Sequence, residues 1–227
     1  MPELLDGFPS NLIACLHREL IEEISFNLFK HIENGEVLEV VELGKVITPD
    51  FNPVRFENFY YKITLTKKPK IIFDTNEIQS MAWCTGEEIM NLFENDEILV
   101  VPPMLKVIKG LSNSSSYPLK LDLNYDSSRE VPVINPVSSI IQLLPLSNTF
   151  PPAKRTNCFV IGDSDSTVFC IDPSPKDKFE YLKLKNTLQK FNVDKIFITH
   201  HHPDHHEFVD HLAKDLDLPI GISQDSF

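Results

Sequence analysis

The sequence predicts an α/β fold on three observations. Short apolar runs of strand length alternate with amphipathic helical stretches, the runs are rich in β-branched and aromatic residues, and the last third reads strand, helix, strand, helix, strand. At 227 residues, with 42% hydrophobic content and 16 Phe, the chain can bury one large core or two small ones.

From Ser10, a candidate N-cap, Leu12, Ile13, Leu16, Leu20 and Ile24 recur at helical spacing. VLEVVELGKVITPD, NFYYKITLTKK and KIIFD then read as strands divided by Pro and Asn. TGEEIMNLFEND is a helix capped by Thr85, and PPMLKVIKGL, opening on Pro102, is another. Residues 112–139, dominated by Ser, Asn, Asp and Pro, have the composition of a linker and divide the chain into 1–111, 112–137 and 138–227. Beyond them SIIQLLPL, NCFVIGD and TVFCIDP are three strands. The helix DKFEYLKLKNTLQKF follows, with Tyr181, Leu184, Leu188 and Phe191 on one face. Strand DKIFIT, a histidine loop, a helix from about Glu207 and strand LPIGIS complete the pattern.

An excess of 33 acidic over 21 basic residues gives a formal charge of -12, which argues against a surface that wraps nucleic acid by charge alone. Cys15, Cys84, Cys158 and Cys170 form no CxxC pair, so neither a disulfide scaffold nor a cysteine zinc knuckle is expected. A reducing intracellular setting, cytoplasm or mitochondrion, fits that usage. The N-terminus has neither the apolar core of a secretory signal nor that of an anchor, and no window reaches the ~18 apolar residues that span a bilayer.

Six of the eight histidines, His200, His201, His202, His205, His206 and His211, crowd into DKIFITHHHPDHHEFVDH. His200 and His202 are two apart in chain leaving a strand and so share a side, while Asp204 and His205 fall at the turn into the next helix. Imidazole and carboxylate in two pairs suit zinc, iron or manganese, at a strand end where α/β proteins place their ligands.

THHHPDHH contains HxHxDH as His200, His202, Asp204 and His205, and from about residue 138 to 227 the chain resembles the metallo-β-lactamase superfamily. NCFVIGD and FCIDPSP are similar to that family's opening strands, with Asp172 at its strand-end aspartate. The resemblance implies an αββα sandwich, C-terminally incomplete here, with zinc held by His200 and His202 at one site and by Asp204 and His205 at a second. Both shells are incomplete, because only 22 residues follow His205. Asp204 would also orient or deprotonate the attacking water, and Asp172 would be structural. His206, Glu207 and Phe208 stand where the family usually has a glycine pair. His201, His206 and His211 are expected to be bystanders.

In HRELIEEISF, Glu19 and Glu23 lie one helical turn apart with Glu22 beside them, and clustered carboxylates suit magnesium. An acidic face paired with Arg18 and Lys30 is the plainer alternative. Arg18-Glu19-Leu20-Ile21-Glu22-Glu23 resembles the REUxEE half of the Nudix box, with Ser25 in place of its glycine. GKVITPDFNPVRFENFYYKITL, SMAWCTGEEIMNLF and VVPPMLKVI are similar to later elements of that family, nearest the acyl-CoA pyrophosphatase type. This second resemblance implies an N-terminally incomplete α+β domain in which Glu19, Glu22 and Glu23 bind magnesium and Arg18 holds the loop. Together the two halves are similar to proteins of the β-lactamase-like protein 2 type.

The expected function is therefore a metal-dependent hydrolase in which activated water attacks a phosphodiester or ester, with an endoribonuclease on single-stranded RNA implied by the resemblance. A magnesium-dependent pyrophosphatase and an inactive fragment stand as alternatives. The expected partner is a small molecule or single-stranded RNA, not a membrane, and a homodimer is a candidate assembly.

Overall fold

A computed structural model describes residues 3–52, 54–113, 116–122, 126–163 and 165–222. Its fold is α/β. Two sheets organise it, an antiparallel hairpin near the N-terminus and a six-stranded mixed sheet near the C-terminus.

Helix α1 spans Ser10–Ile24, with Ile13 on its buried face. Ser10 is its first residue rather than its cap. Pro9 takes the cap position in extended backbone and offers no side-chain acceptor. A helix not expected from the sequence, α2 (Leu28–Glu33), follows at once, capped by Asn27, whose Oδ1 accepts from Lys30 N at 2.9 Å. Both pack on strand β1 (Val37–Ile47), which pairs with β2 (Glu57–Leu65). Leu5, Ile13, Phe26, Leu28, Val37 and Val40 form the core between them.

KIIFD does not add a third strand. Its amides instead turn to the end of α1, Ile72 N donating to Ile24 O (3.4 Å) and Asp74 N to Glu23 O (3.0 Å). A helix leaves its last carbonyls without internal partners, and this segment answers two of them.

Gly44 sits where β1 shifts register, at φ +143°, and a Cβ there would meet Leu119 O at 2.8 Å. Leu119 N in turn donates to Leu43 O (2.7 Å), so the contact joins backbone to backbone and cannot relax by rotating a side chain. Gly44→Ala is expected to lower stability by roughly 1–3 kcal/mol, the cost of a residue forced into sparsely populated backbone space. Thermal unfolding should show it as a reduced midpoint, and an unchanged midpoint would contradict this reading.

Helix α3 (Gly86–Glu94) opens with the expected cap: Glu88 N donates to Thr85 Oγ1 (3.1 Å) and Thr85 N to Glu88 Oε2 (2.6 Å). It packs against α4 (Pro102–Ser112), which starts on Pro102. The stretch read as a linker holds a strand, β3 (Val133–Val137), while its residues 114, 115 and 123–125 lie outside the described residues. Pairing with β4 (Ile140–Leu143) overrides the Pro and Asn content of β3, as an edge position permits.

The second sheet runs β3-β4-β5-β6-β7-β8, with β5 at Cys158–Ile161, β6 at Phe169–Ile171, β7 at Lys195–Ile198 and β8 at Ile220–Ile222. Strands β3 to β6 are antiparallel neighbours, whereas β6, β7 and β8 are parallel. Parallel strands need crossovers, supplied by α5 (Lys178–Leu188) and by α6 (Pro203–His206) with α7 (Val209–Leu216). Asp177 caps α5, its carboxylate accepting from Glu180 N at 2.8 Å. Of LPIGIS, Ser223 lies outside the described residues.

One face of this sheet is dry. Leu143, Cys158, Val160, Cys170, Ile196 and Ile198 meet Tyr181, Leu184 and Leu188 of α5 and Val209 and Leu212 of α7. Cys158 and Cys170 approach to 3.7 Å there as free thiols, and burial pushes the Cys158 thiol well up. No helix among the described residues is long and apolar enough to cross a membrane.

Candidate metal centre

Strands β6 and β7 are parallel neighbours, so their carboxyl ends lie side by side and present Asp172 next to Thr199 and His200. Asp172 is 5% exposed and sits in left-handed backbone at φ +49°. Its carboxylate accepts from Thr199 N (2.8 Å), Thr199 Oγ1 (2.5 Å) and His205 Nδ1 (2.9 Å). A buried carboxylate needs such donors. By receiving bonds from both ends of the histidine loop, it fixes where the loop leaves β7 and where it re-enters helix.

Within that frame His200 Nε2 faces His202 Nδ1 at 3.2 Å, and the His200 and His205 rings lie 3.9 Å apart. His205 Nε2 stands 3.8 Å from Asp204 Oδ2. Two nitrogens sharing a tetrahedral ion at zinc–nitrogen bond lengths are about 3.3 Å apart, so the His200–His202 spacing fits a common metal. Asp172, His200 and His205 each offer a ligand atom within 4.8 Å of the others, the only such three-residue group of His, Cys, Asp and Glu among the described residues.

Electrostatics favours the ligand forms. Loss of solvent, then the neighbouring His205 and His202, lower the His200 pKa below the ordinary histidine value and favour the neutral ring that binds metal. Burial pushes the Asp204 carboxyl up, but hydrogen bonding from Thr149, the charge of His205 and the hydroxyl of Thr156 more than offset it, leaving Asp204 below the usual carboxylate range.

The remaining histidines lie outside the three-residue group, though the His201 ring is 5.4 Å from that of His202. His201 is exposed, and its carbonyl lies 3.0 Å from His206 Nε2. His211 is exposed on α7, its ring 5.9 Å from that of Phe208. The helix expected from Glu207 starts at Val209, because Phe208 turns into left-handed backbone at φ +60°.

Several residues around the loop carry no sequence signal of their own. Thr199 bonds both Asp172 and His200 Nδ1 (2.9 Å), and Thr156 Oγ1 donates to Asp204 Oδ2 (3.3 Å). Asn148 reaches Glu207 Oε2 (2.6 Å), and Ser174 Oγ accepts from Glu207 N (2.9 Å). Beside the centre lies a cleft of about 480 Å³, lined by Asp172, Asp204 and His205 together with Arg155, Phe159 and Ile171.

On α1 the glutamates behave differently. Arg18 pairs with both Glu19 and Glu22, the latter at 2.8 Å, all half-exposed. Glu19 and Glu23 line a second cleft of about 770 Å³ together with Glu57, but the three carboxylates Glu19, Glu22 and Glu23 do not gather at one point, Arg18 drawing Glu22 to itself. Ser25, at φ +53°, ends the helix in left-handed backbone.

Residues 151–226 match the family model described as the metallo-beta-lactamase superfamily. No curated protein and no solved structure matches the chain. The matched stretch contains β5 to β8 and every residue of the histidine loop.

Proposed function

We propose that this chain is a zinc-dependent hydrolase in which His200, His202, Asp204 and His205 hold the metal and water attacks a phosphodiester or ester beside them. The facing nitrogens of His200 and His202, 3.2 Å apart at the end of β7, carry this reading. Zinc, when bound, lowers the pKa of coordinated water and polarises the group under attack.

The protein's own part is positional. Asp172 accepts the Nδ1 proton of His205 and so presents Nε2 outward, the arrangement by which a carboxylate orients a ligating imidazole. Thr199 does the same for His200 from the other side. Asp204, kept ionised, can accept a proton from the attacking water. In the adjoining cleft Arg155 is a cation for a phosphate, and Phe159 and Ile171 form an apolar wall against which a base can stack; single-stranded RNA fits that combination.

The deciding experiment measures zinc per chain and turnover of bis(4-nitrophenyl) phosphate and of a fluorogenic single-stranded oligoribonucleotide. Wild type and Glu23→Gln should retain both zinc and turnover, and His202→Ala should lose both. Zinc-loaded protein inert on every phosphodiester and ester tried would end this reading. Activity that survives His202→Ala but not Glu23→Gln would move it to the α1 cleft.

A further inference from the structure

Asp204 sits on α6, a helix of four residues, with His205 N donating to His202 O and Glu207 N to Pro203 O at its ends. So short an element does little to fix a side chain. Thr149 and Thr156, both in the connection between β4 and β5, supply its side-chain hydrogen bonds.

Between β4 and β5 the backbone folds back on itself, Leu146 bridging to Arg155 and Ser147 N donating to Lys154 O. That closure sets Ser147 Oγ 2.7 Å from Thr156 Oγ1, and Thr156 Oγ1 lies 3.3 Å from Asp204 Oδ2. Ser147 and Thr156 are each 8% exposed, so their hydroxyls need partners within the protein. Each hydroxyl has a single proton. Asp204 can only accept, so the Thr156 proton goes to it, and Thr156 must then receive the proton of Ser147. The relay therefore runs one way, Ser147 to Thr156 to Asp204.

We infer that Thr156, backed by Ser147, is a positioning residue that aims the Asp204 carboxylate at the metal. This rests on the zinc reading above. A carboxylate has about four lone-pair sites, so accepting from Thr156 leaves Asp204 free to ligate while removing its freedom to rotate away. Outer partners of this type usually sustain about 10–100-fold in metal affinity.

The test titrates the folded protein with cobalt(II) and then zinc(II) against a competing chelator, and follows the cobalt visible bands. Thr156→Val keeps shape and loses the hydroxyl. It should weaken metal binding about 10–100-fold and shift the cobalt spectrum. Thr156→Ser should restore both, and Ser147→Ala should fall between. A purely structural threonine would alter the melting of the metal-free protein and leave the affinity and spectrum of the folded fraction unchanged; that result overturns the inference while the zinc reading stands. If Thr156→Val does not fold, an unchanged affinity in Ser147→Ala overturns it instead. Wild type that binds neither ion removes both proposals.

Discussion

His202→Ala is expected to reduce zinc retention by more than the roughly 10–100-fold typical of losing an outer partner, and to abolish phosphodiester turnover with it. The reason is geometric. His202 Nδ1 lies 3.2 Å from His200 Nε2, and without it His205 is the one imidazole of the motif left beside His200. A catalytic zinc normally keeps three protein ligands, so a site that loses one donor of a facing pair loses much of its hold. His202 is exposed, so the substitution buries no cavity and circular dichroism should show an unchanged fold. His201→Ala and His211→Ala are the matched controls and should keep wild-type zinc. Equal zinc content in His202→Ala and wild type would refute the assignment.

Asp172→Asn is expected to be nearly as damaging to metal binding while leaving the fold in place. Asp172 accepts three bonds, which an amide cannot do. If the amide oxygen stays with Thr199 N, its NH₂ faces His205 Nδ1, which must then accept. The ring proton moves to Nε2, the nitrogen that faces Asp204, and the ligand is lost to the wrong tautomer. If the amide turns over, NH₂ opposes Thr199 N instead, donor against donor. Either way zinc affinity should drop by about 10–100-fold, read by chelator competition, and a wild-type affinity would show that Asp172 does not orient His205.

How far the sequence foretold this depended on the range of the forces involved. The clustering of the histidine loop was legible because its side chains are close in the chain and follow directly on strand β7. Helix α3 was legible because Thr85 and Glu88 make a local capping box. Strand β3 was not, since its Pro and Asn are outvoted by pairing with β4, a contact no local pattern announces. KIIFD reads as strand by composition, but the carbonyls at the end of α1 claimed its amides. Thr156 meets Asp204 across 48 positions, so nothing near either residue points to the other.

Two non-glycine residues end or open helices in backbone that favours glycine. Ser25 and Phe208 both adopt left-handed backbone, at φ +53° and +60°. Glycine takes that conformation without steric cost and other residues do not. Phe208 sets ring contacts with Tyr181 and His211 against the cost.

The change from antiparallel to parallel pairing at β6 also orders events in time. Strands β3 to β6 join neighbours that are close in the chain, so their ladders close small loops, whereas β7 and β8 arrive only after α5 and then α6 and α7 have formed across wider separations. The histidine loop lies on the late side of that divide, while Asp172 stands at its border, directly after β6. The nucleus for folding is therefore expected in the β4–β5–β6 meander, with the metal centre assembled afterwards. Conservative truncations such as Val160→Ala should slow refolding, while Ile198→Val should chiefly speed unfolding, and the reverse assignment in stopped-flow kinetics would place the centre in the nucleus. A late-forming centre means that metal captured there acts mainly as a brake on unfolding: it prolongs the life of the folded chain without hastening its birth.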